Sequence, residues 1–246
     1  MGLHDKKTIL FDLDGTLLPV DFDKLLEDYF KALTKEFIDL ATPNRFIDIL
    51  MKATDDMINN DGKQTNQKIF MDSFFSLMEI EGEKREEIMK RFDLFYEEKF
   101  PLLSRGLCID KTSIRIVKLL KDAEYQLVIA TNPLFPRAAI LERMEWAGLD
   151  PNNFDLITSY ENMHYCKPNV KYYQEILDKL DITPDDCIML GNNMQEDMVA
   201  SELGIETFLI EDFLIDEENN KRFEPNWRGS LNEFVLYLEE KLKNIS

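Results

Sequence analysis

Cysteine is scarce in this chain. Its 246 residues include three, Cys108, Cys166 and Cys187, which lie far apart and form no C-x-x-C pair. An odd, scattered set argues against a disulfide framework and for the reduced thiols of a cytoplasmic protein. Histidine is scarcer still, with His4 in an N-terminal tail expected to be disordered and His164 in a loop expected to be exposed. No H-E-x-x-H, G-x-G-x-x-G, Walker A or G-x-S-x-G pattern occurs, which removes the usual zincin, dinucleotide, NTPase and serine-hydrolase readings. Positive charge is also short: 29 Lys and Arg stand against 48 Asp and Glu, a formal net charge of -19. Such a surface repels phosphate backbones, so nucleic acid is not an expected partner. No apolar run is long enough to span a bilayer. The charged start "MGLHDKKTILFDLDG" has its short apolar run broken by an aspartate, so neither a signal peptide nor a membrane anchor is expected.

The chain does have material for a core. It is 44% hydrophobic, with 17 Phe and 8 Tyr spread along its length, enough for one large or two smaller domains. Thr8 to Leu13, "TILFDL", is a short apolar strand running into Asp-Gly. From about Asp21 to Glu98 the apolar residues recur at helical spacing. Leu26, Phe30, Leu33 and Phe37 form one such face, Phe70, Phe74, Leu77 and Met78 a second, and Ile88, Phe92, Phe95 and Tyr96 a third. This segment predicts a helical bundle without strands.

Beyond Lys111 the texture changes to alternation. The helix "KTSIRIVKLLKDA" precedes the strand "YQLVIATN", and "RAAILERMEWAGL" precedes "FDLITSY". The helix "VKYYQEILDKL" precedes "DCIMLGN", and "MQEDMVASELG" precedes "IETFLI". The stretch "SLNEFVLYLEEKLKNI" predicts a last helix, and "NKRFEPNWRGS" a polar loop in which Trp227 covers a core edge. This alternation implies an α/β fold, a Rossmann-like parallel sheet with helices on both faces.

Functional residues in such folds gather beyond the carboxyl ends of the strands. The first strand ends in Asp12, Leu13, Asp14, Gly15 and Thr16, with the two aspartates on the same side. The second ends in Thr131 and Asn132, the third leads to His164, Lys167 and Pro168, and the fourth to Asn192, Asn193, Glu196 and Asp197. Each signal is weak alone; together they put acids, a hydroxyl and a lysine on one edge. That set suits phosphoryl transfer. One carboxylate attacks phosphorus and a second acid protonates the leaving oxygen. A magnesium ion with oxygen ligands offsets the repulsion between anions, while a lysine and a hydroxyl steady the transferred oxygens.

"DLDGT", "ATN", "KP" and "GNNMQED", in this order, resemble the four motifs of the haloacid dehalogenase (HAD) superfamily. The resemblance covers the whole chain. It implies a core domain at residues 1–16 and 106–246, with residues 17–105 as a helical C1-type cap. Asp12 then resembles the nucleophile that becomes an aspartyl phosphate, and Asp14 the general acid and base, whose backbone carbonyl also faces the metal. Thr131 looks like the phosphate-binding hydroxyl, aided by the N–H of Asn132, and Lys167 like the cation bridging nucleophile and phosphate. Asp197 resembles the carboxylate that anchors Mg2+.

The last motif of the family usually reads Gly-Asp, and this chain has Asn192 in place of that acid. Three readings stand. Asn192 is a neutral oxygen ligand; or Glu196 and Asp197 do the metal work while Asn192 orients them; or the site is weakened. Asp14 argues for ester cleavage within the family, because an alkoxide leaving group needs a proton and a halide does not. The implied function is a magnesium-dependent phosphatase acting on a small phosphorylated metabolite, with oligomeric state open. A binding or regulatory protein with a degenerate site, or a sugar-phosphate mutase, are the alternatives.

Overall fold

A computed structural model describes residues 7–105, 110–216 and 222–243 of the chain. His4 and Cys108 lie outside the described residues. Six strands form one sheet: β1 (Thr8–Phe11), β2 (Gln126–Ile129), β3 (Leu156–Ile157), β4 (Cys187–Gly191), β5 (Glu206–Ile210) and β6 (Trp227–Gly229). The order is β3-β2-β1-β4-β5-β6, and every pairing is parallel. The α/β class read from the sequence is therefore the observed one.

Alternation along each buried strand feeds two cores. Ile9, Phe11, Leu127, Ile129, Ile188 and Leu190 point to one face. There they meet α5 (Lys111–Asp122), α6 (Arg137–Trp146) and α8 (Leu231–Lys243). Leu10, Val128, Ala130, Cys187 and Met189 point to the other, against Tyr172, Tyr173, Ile176 and Leu177 of α7 (Val170–Leu180). The chain passes from β1 to β2 and β3 on one side and then crosses back to β4 on the other side of β1, so Asp12, just past β1, sits at the switch point where such sheets bind ligands.

Between β1 and β2 the chain inserts four helices: α1 (Phe22–Glu36), α2 (Pro43–Ile58), α3 (Asn66–Leu77) and α4 (Glu83–Glu98). Asp21 caps α1 by accepting from the Lys24 N–H at 3.2 Å, and Thr65 caps α3 by accepting from Lys68 at 3.3 Å. Pro43 opens α2, where its missing N–H costs nothing. Phenylalanines knit the bundle together. The Phe37 ring lies 5.1 Å from Phe46 and 4.6 Å from Phe92, and Phe74 lies 5.8 Å from Phe46. The bundle rests on the carboxyl-end loops of the sheet, where the backbone N–H groups of Asn66 and Gln67 donate to the carbonyls of Met163 and Tyr160.

Four local expectations need correction. On α1 the buried face is Leu25, Tyr29 and Leu33, continued by Phe37, while Leu26 and Phe30 are only partly buried. The apolar stripe there is wide enough to serve two surfaces. On α3 full burial falls on Phe74 and Phe75 rather than on Phe70, Leu77 and Met78. The stretch "MQEDMVASELG" forms turns and a 3-10 helix over Met198–Leu203 in place of an α-helix. Asn193 Oδ1 takes the N–H groups of Gln195 and Glu196, and Asp197 Oδ2 takes that of Asn193, diverting the backbone from helical bonding. Finally, "NWRGS" contains the edge strand β6, with Trp227 packed 5.8 Å from Phe208. Three residues are too few to show alternation. Among the described residues no helix is long and apolar enough to cross a membrane.

Candidate active site

The carboxyl edge of the sheet collects the predicted residues. Lys167 is 1% exposed and its Nζ donates to Asp12 Oδ1 at 2.9 Å and to Asp197 Oδ1 at 2.5 Å. One ammonium thus joins the ends of β1, the β3–α7 loop and the β4 loop. Asn132 fastens the same loops. Its Oδ1 accepts from the Lys167 N–H at 3.2 Å, and its Nδ2 donates to Glu196 Oε1 at 3.0 Å. Thr131 is buried, and its carbonyl is held by the hydroxyls of Thr158 at 2.8 Å and Tyr172 at 2.9 Å.

Two glycines make this approach possible. A Cβ at Gly191 would stand 2.1 Å from Asp197 Oδ2, so only glycine lets that carboxylate fold back over β4. Gly15 has φ +78°, and a Cβ there would stand 2.4 Å from Asn192 Nδ2.

Asn192 serves as a brace. Its Oδ1 accepts from the Thr16 hydroxyl at 3.1 Å and its Nδ2 donates to the Phe213 carbonyl at 2.6 Å. A carboxylate could accept from Thr16 but could not donate to Phe213.

Asp14 has a partner that strand-end reasoning misses. The guanidinium of Arg143, 1% exposed on α6, donates to Asp14 Oδ2. Arg143 also lies over the Phe135 ring, 4.7 Å from its centroid. The signal is present in the sequence: Arg143 falls on the helix face of Ala139, Ile140 and Met144, all buried. An arginine on an apolar face needs a buried acid. His164, expected to be exposed, is only partly so, and its Nδ1 pairs with Glu175 Oε1 at 2.8 Å.

Charge is unbalanced in this pocket. Burial pushes the Asp12 carboxyl upward and outweighs Lys167, with Asp197 and Asp14 adding to the rise. Burial likewise raises Asp14 against the pull of Arg143. Burial lowers Lys167, but Asp12 and Asp197 overcome it and hold the ammonium well above its ordinary value. Three carboxylates, those of Asp12, Asp14 and Asp197, share the two cations Lys167 and Arg143. Asp14 Oδ1 is buried without a hydrogen-bond partner. Surplus negative charge and an orphaned carboxylate oxygen suit a hard, oxygen-seeking cation. Among the described residues no three Asp, Glu, His or Cys side chains converge as a ready-made ligand cluster. Arg143 draws Asp14 aside, and Lys167 stands between Asp12 and Asp197.

The chain is 23% identical over 208 residues to the pyrophosphatase PpaX of Bacillus pumilus, covering 81% of each chain. It is also 23% identical over 250 residues to a phosphoglycolate phosphatase of Colwellia psychrerythraea, covering 97% of this chain and 100% of the other. Its fold is shared with a HAD phosphatase from Thermococcus onnurineus at a TM-score of 0.59 and 20% identity, over 94% of this chain and 97% of that one. The family model for haloacid dehalogenase-like hydrolases matches residues 6–228, and the chain belongs to that family of hydrolases.

Proposed function

We propose that this hydrolase is a phosphatase of small phosphate monoesters, working through an aspartyl phosphate on Asp12 in the presence of magnesium. The observation that carries the reading is the buried Lys167 bridge between Asp12 and Asp197, with Asp14 two residues from the nucleophile. The phosphatase relatives support the same chemistry.

In this mechanism a carboxylate oxygen of Asp12 attacks phosphorus and the P–O bond to the leaving group breaks. Asp14 gives its proton to the departing alkoxide oxygen. It then takes a proton from water as the water oxygen attacks the acyl phosphate, releasing inorganic phosphate and restoring Asp12. Lys167, Thr131 and the N–H of Asn132 steady the phosphoryl oxygens. Asp12, the Asp14 carbonyl and Asp197, with Asn192 beside them, would hold the magnesium ion, which neutralises charge between nucleophile and phosphate. The bracing bonds of Asn192 favour an orienting role for it, with Asp197 as the metal carboxylate. Helices α1–α4 act as the cap, within residues 17–105, excluding water from the site.

The test is phosphate release from p-nitrophenyl phosphate with and without magnesium. Asp12→Asn is expected to lower it about a thousandfold or more while circular dichroism shows an intact fold. Unchanged hydrolysis by the variant removes Asp12 as nucleophile. No magnesium-dependent hydrolysis by the natural chain removes the phosphatase reading.

A further inference from the structure

The inserted helices enclose a cavity of about 250 Å3 against the loop that follows β2. Its wall on the sheet side is Leu134, Phe135, Pro136 and Tyr160, the first three beginning two residues after Asn132. Leu26 and Phe30, the partly buried apolar positions of α1, face into it. That explains why the apolar stripe of α1 is wider than packing among the helices requires.

Two aromatic rings separate this cavity from Asp14. Phe135 lines it, and Arg143, which holds Asp14, lies over the same ring, 4.7 Å from its centroid. Phe22 lines it as well, and also lines a second cavity of about 200 Å3 whose wall includes Asp14, Gly15 and Asn192. The Phe22 and Phe135 centroids are 6.5 Å apart, edge to face. By way of Phe22 the apolar space adjoins the cavity that includes Asp14, whereas on the Phe135 side the Arg143 guanidinium lies between.

The chemistry of the wall is selective. Among the described lining residues there is no Lys, Arg or His, and the single charged one is Asp55. Arg143 stands behind Phe135, where Nη1 donates to Asp14 and Nη2 is buried without a hydrogen-bond partner. On its outer side the cavity shares Tyr96, Pro136 and Tyr160 with a cleft whose charged residues are Asp93, Glu97, Glu142, Glu145 and Glu161. A leaving group bearing a second phosphate or a carboxylate would be desolvated here with no cation in the cavity wall to pair with. A polyhydroxylated leaving group fares little better. The Tyr29 and Tyr96 hydroxyls already bond each other at 2.8 Å, and the rest of the wall is mainly Phe, Leu, Ile and Met.

We infer that the leaving group of the substrate is an apolar alcohol, alkyl or aryl, seated in this cavity beyond Phe22 and Phe135. The inference rests on the phosphatase reading and adds to it the class of ester. At roughly 30 Å3 for each water-sized group, the space takes about eight non-hydrogen atoms. This sets the chain apart from the relatives named for pyrophosphate and phosphoglycolate, whose leaving groups are anionic.

The experiment is kcat/KM for ethyl, butyl, hexyl, octyl and decyl phosphate with magnesium, beside inorganic pyrophosphate, 2-phosphoglycolate, glucose 6-phosphate and phosphocholine. The expected series rises by about fourfold per methylene and levels off near eight carbons. Thr54→Trp, filling the cavity from a partly exposed position of α2, is expected to cut the octyl-to-ethyl ratio at least tenfold. That ratio is insensitive to the fraction of folded enzyme. A flat series, an unchanged ratio in the variant, or a preference for any of the four polar substrates over octyl phosphate overturns the inference and leaves the phosphatase reading standing. Release of phosphate from none of these compounds overturns both.

Discussion

Asp14 and Arg143 are 129 residues apart in sequence, yet the Arg143 guanidinium donates to Asp14 Oδ2 inside the protein. Both side chains are largely withdrawn from solvent, at 1% exposure for Arg143 and 10% for Asp14. Removing one member of a buried pair leaves the other charge uncompensated, which costs about 3–5 kcal/mol. Arg143→Met should therefore lower stability by about 3 kcal/mol, read as a shift of the urea midpoint at constant slope. Adding Asp14→Asn should recover part of the loss, since the orphaned charge is then gone. A single-variant loss below about 1 kcal/mol would mean that Asp14, whose carboxyl burial already pushes upward, takes up a proton or is screened by solvent.

Asn192→Asp tests the brace. The new carboxylate can still accept from Thr16, but it loses the 2.6 Å bond to the Phe213 carbonyl and sets two acceptors face to face. Without magnesium the variant should be less stable by about 1 kcal/mol, the net worth of one hydrogen bond, because Phe213 is partly exposed and water can reach its carbonyl. With magnesium the order should narrow or reverse, because a further carboxylate raises affinity for the ion. Thermal unfolding across a magnesium titration measures both effects. Equal magnesium dependence in the two proteins would place position 192 outside the influence of the metal.

These two residues show where sequence reasoning holds and where it stops. Asp12, Thr131, Lys167 and Asp197 are legible because each follows a short apolar strand, and parallel strands deliver their ends to one edge. Asn132 is legible for the same reason, although its bonds to Lys167 and Glu196 are not. Arg143 lies mid-helix, where the strand-end rule does not look; reading α6 for charge on its apolar face would expose it. The 3-10 turn after β4 escapes a helical pattern search because side chains of Asn193 and Asp197 take the backbone N–H groups. The cavity was also out of reach, since Leu26 and Phe30 look identical in a pattern whether they face protein or open space.

Gly191→Ala probes the fold of the corner where Asp197 meets β4. The added methyl would lie 2.1 Å from Asp197 Oδ2 and 2.3 Å from its Cγ, so the carboxylate must move off Lys167. Overpacking of this kind costs about 1–3 kcal/mol. The variant should melt lower and lose magnesium-dependent turnover more steeply than a purely structural lesion would. An unchanged melting temperature would show that Asp197 has room to yield.

Cys166 gives a prediction about pH. It is 1% exposed, its Sγ accepts from Asn66 Nδ2 at 3.3 Å, and burial pushes its thiol from 9.0 up to about 12, with Glu196 and Glu175 adding to the rise. The thiolate is the reactive form, so at pH 8 its fraction falls about a thousandfold below that of the unfolded chain. Iodoacetamide labelling at pH 8, resolved by peptide, should leave Cys166 unmodified in the native protein and modify it readily in urea. The linkage has a definite sign. A folded pKa above the unfolded one contributes stability in full below about pH 9, and that contribution is lost as pH rises toward about 12. Unfolding free energy should therefore decline between those limits, and Cys166→Ala should decline less steeply than the natural chain. Equal slopes, or rapid native labelling at pH 8, would show that the thiol is neither shielded nor shifted.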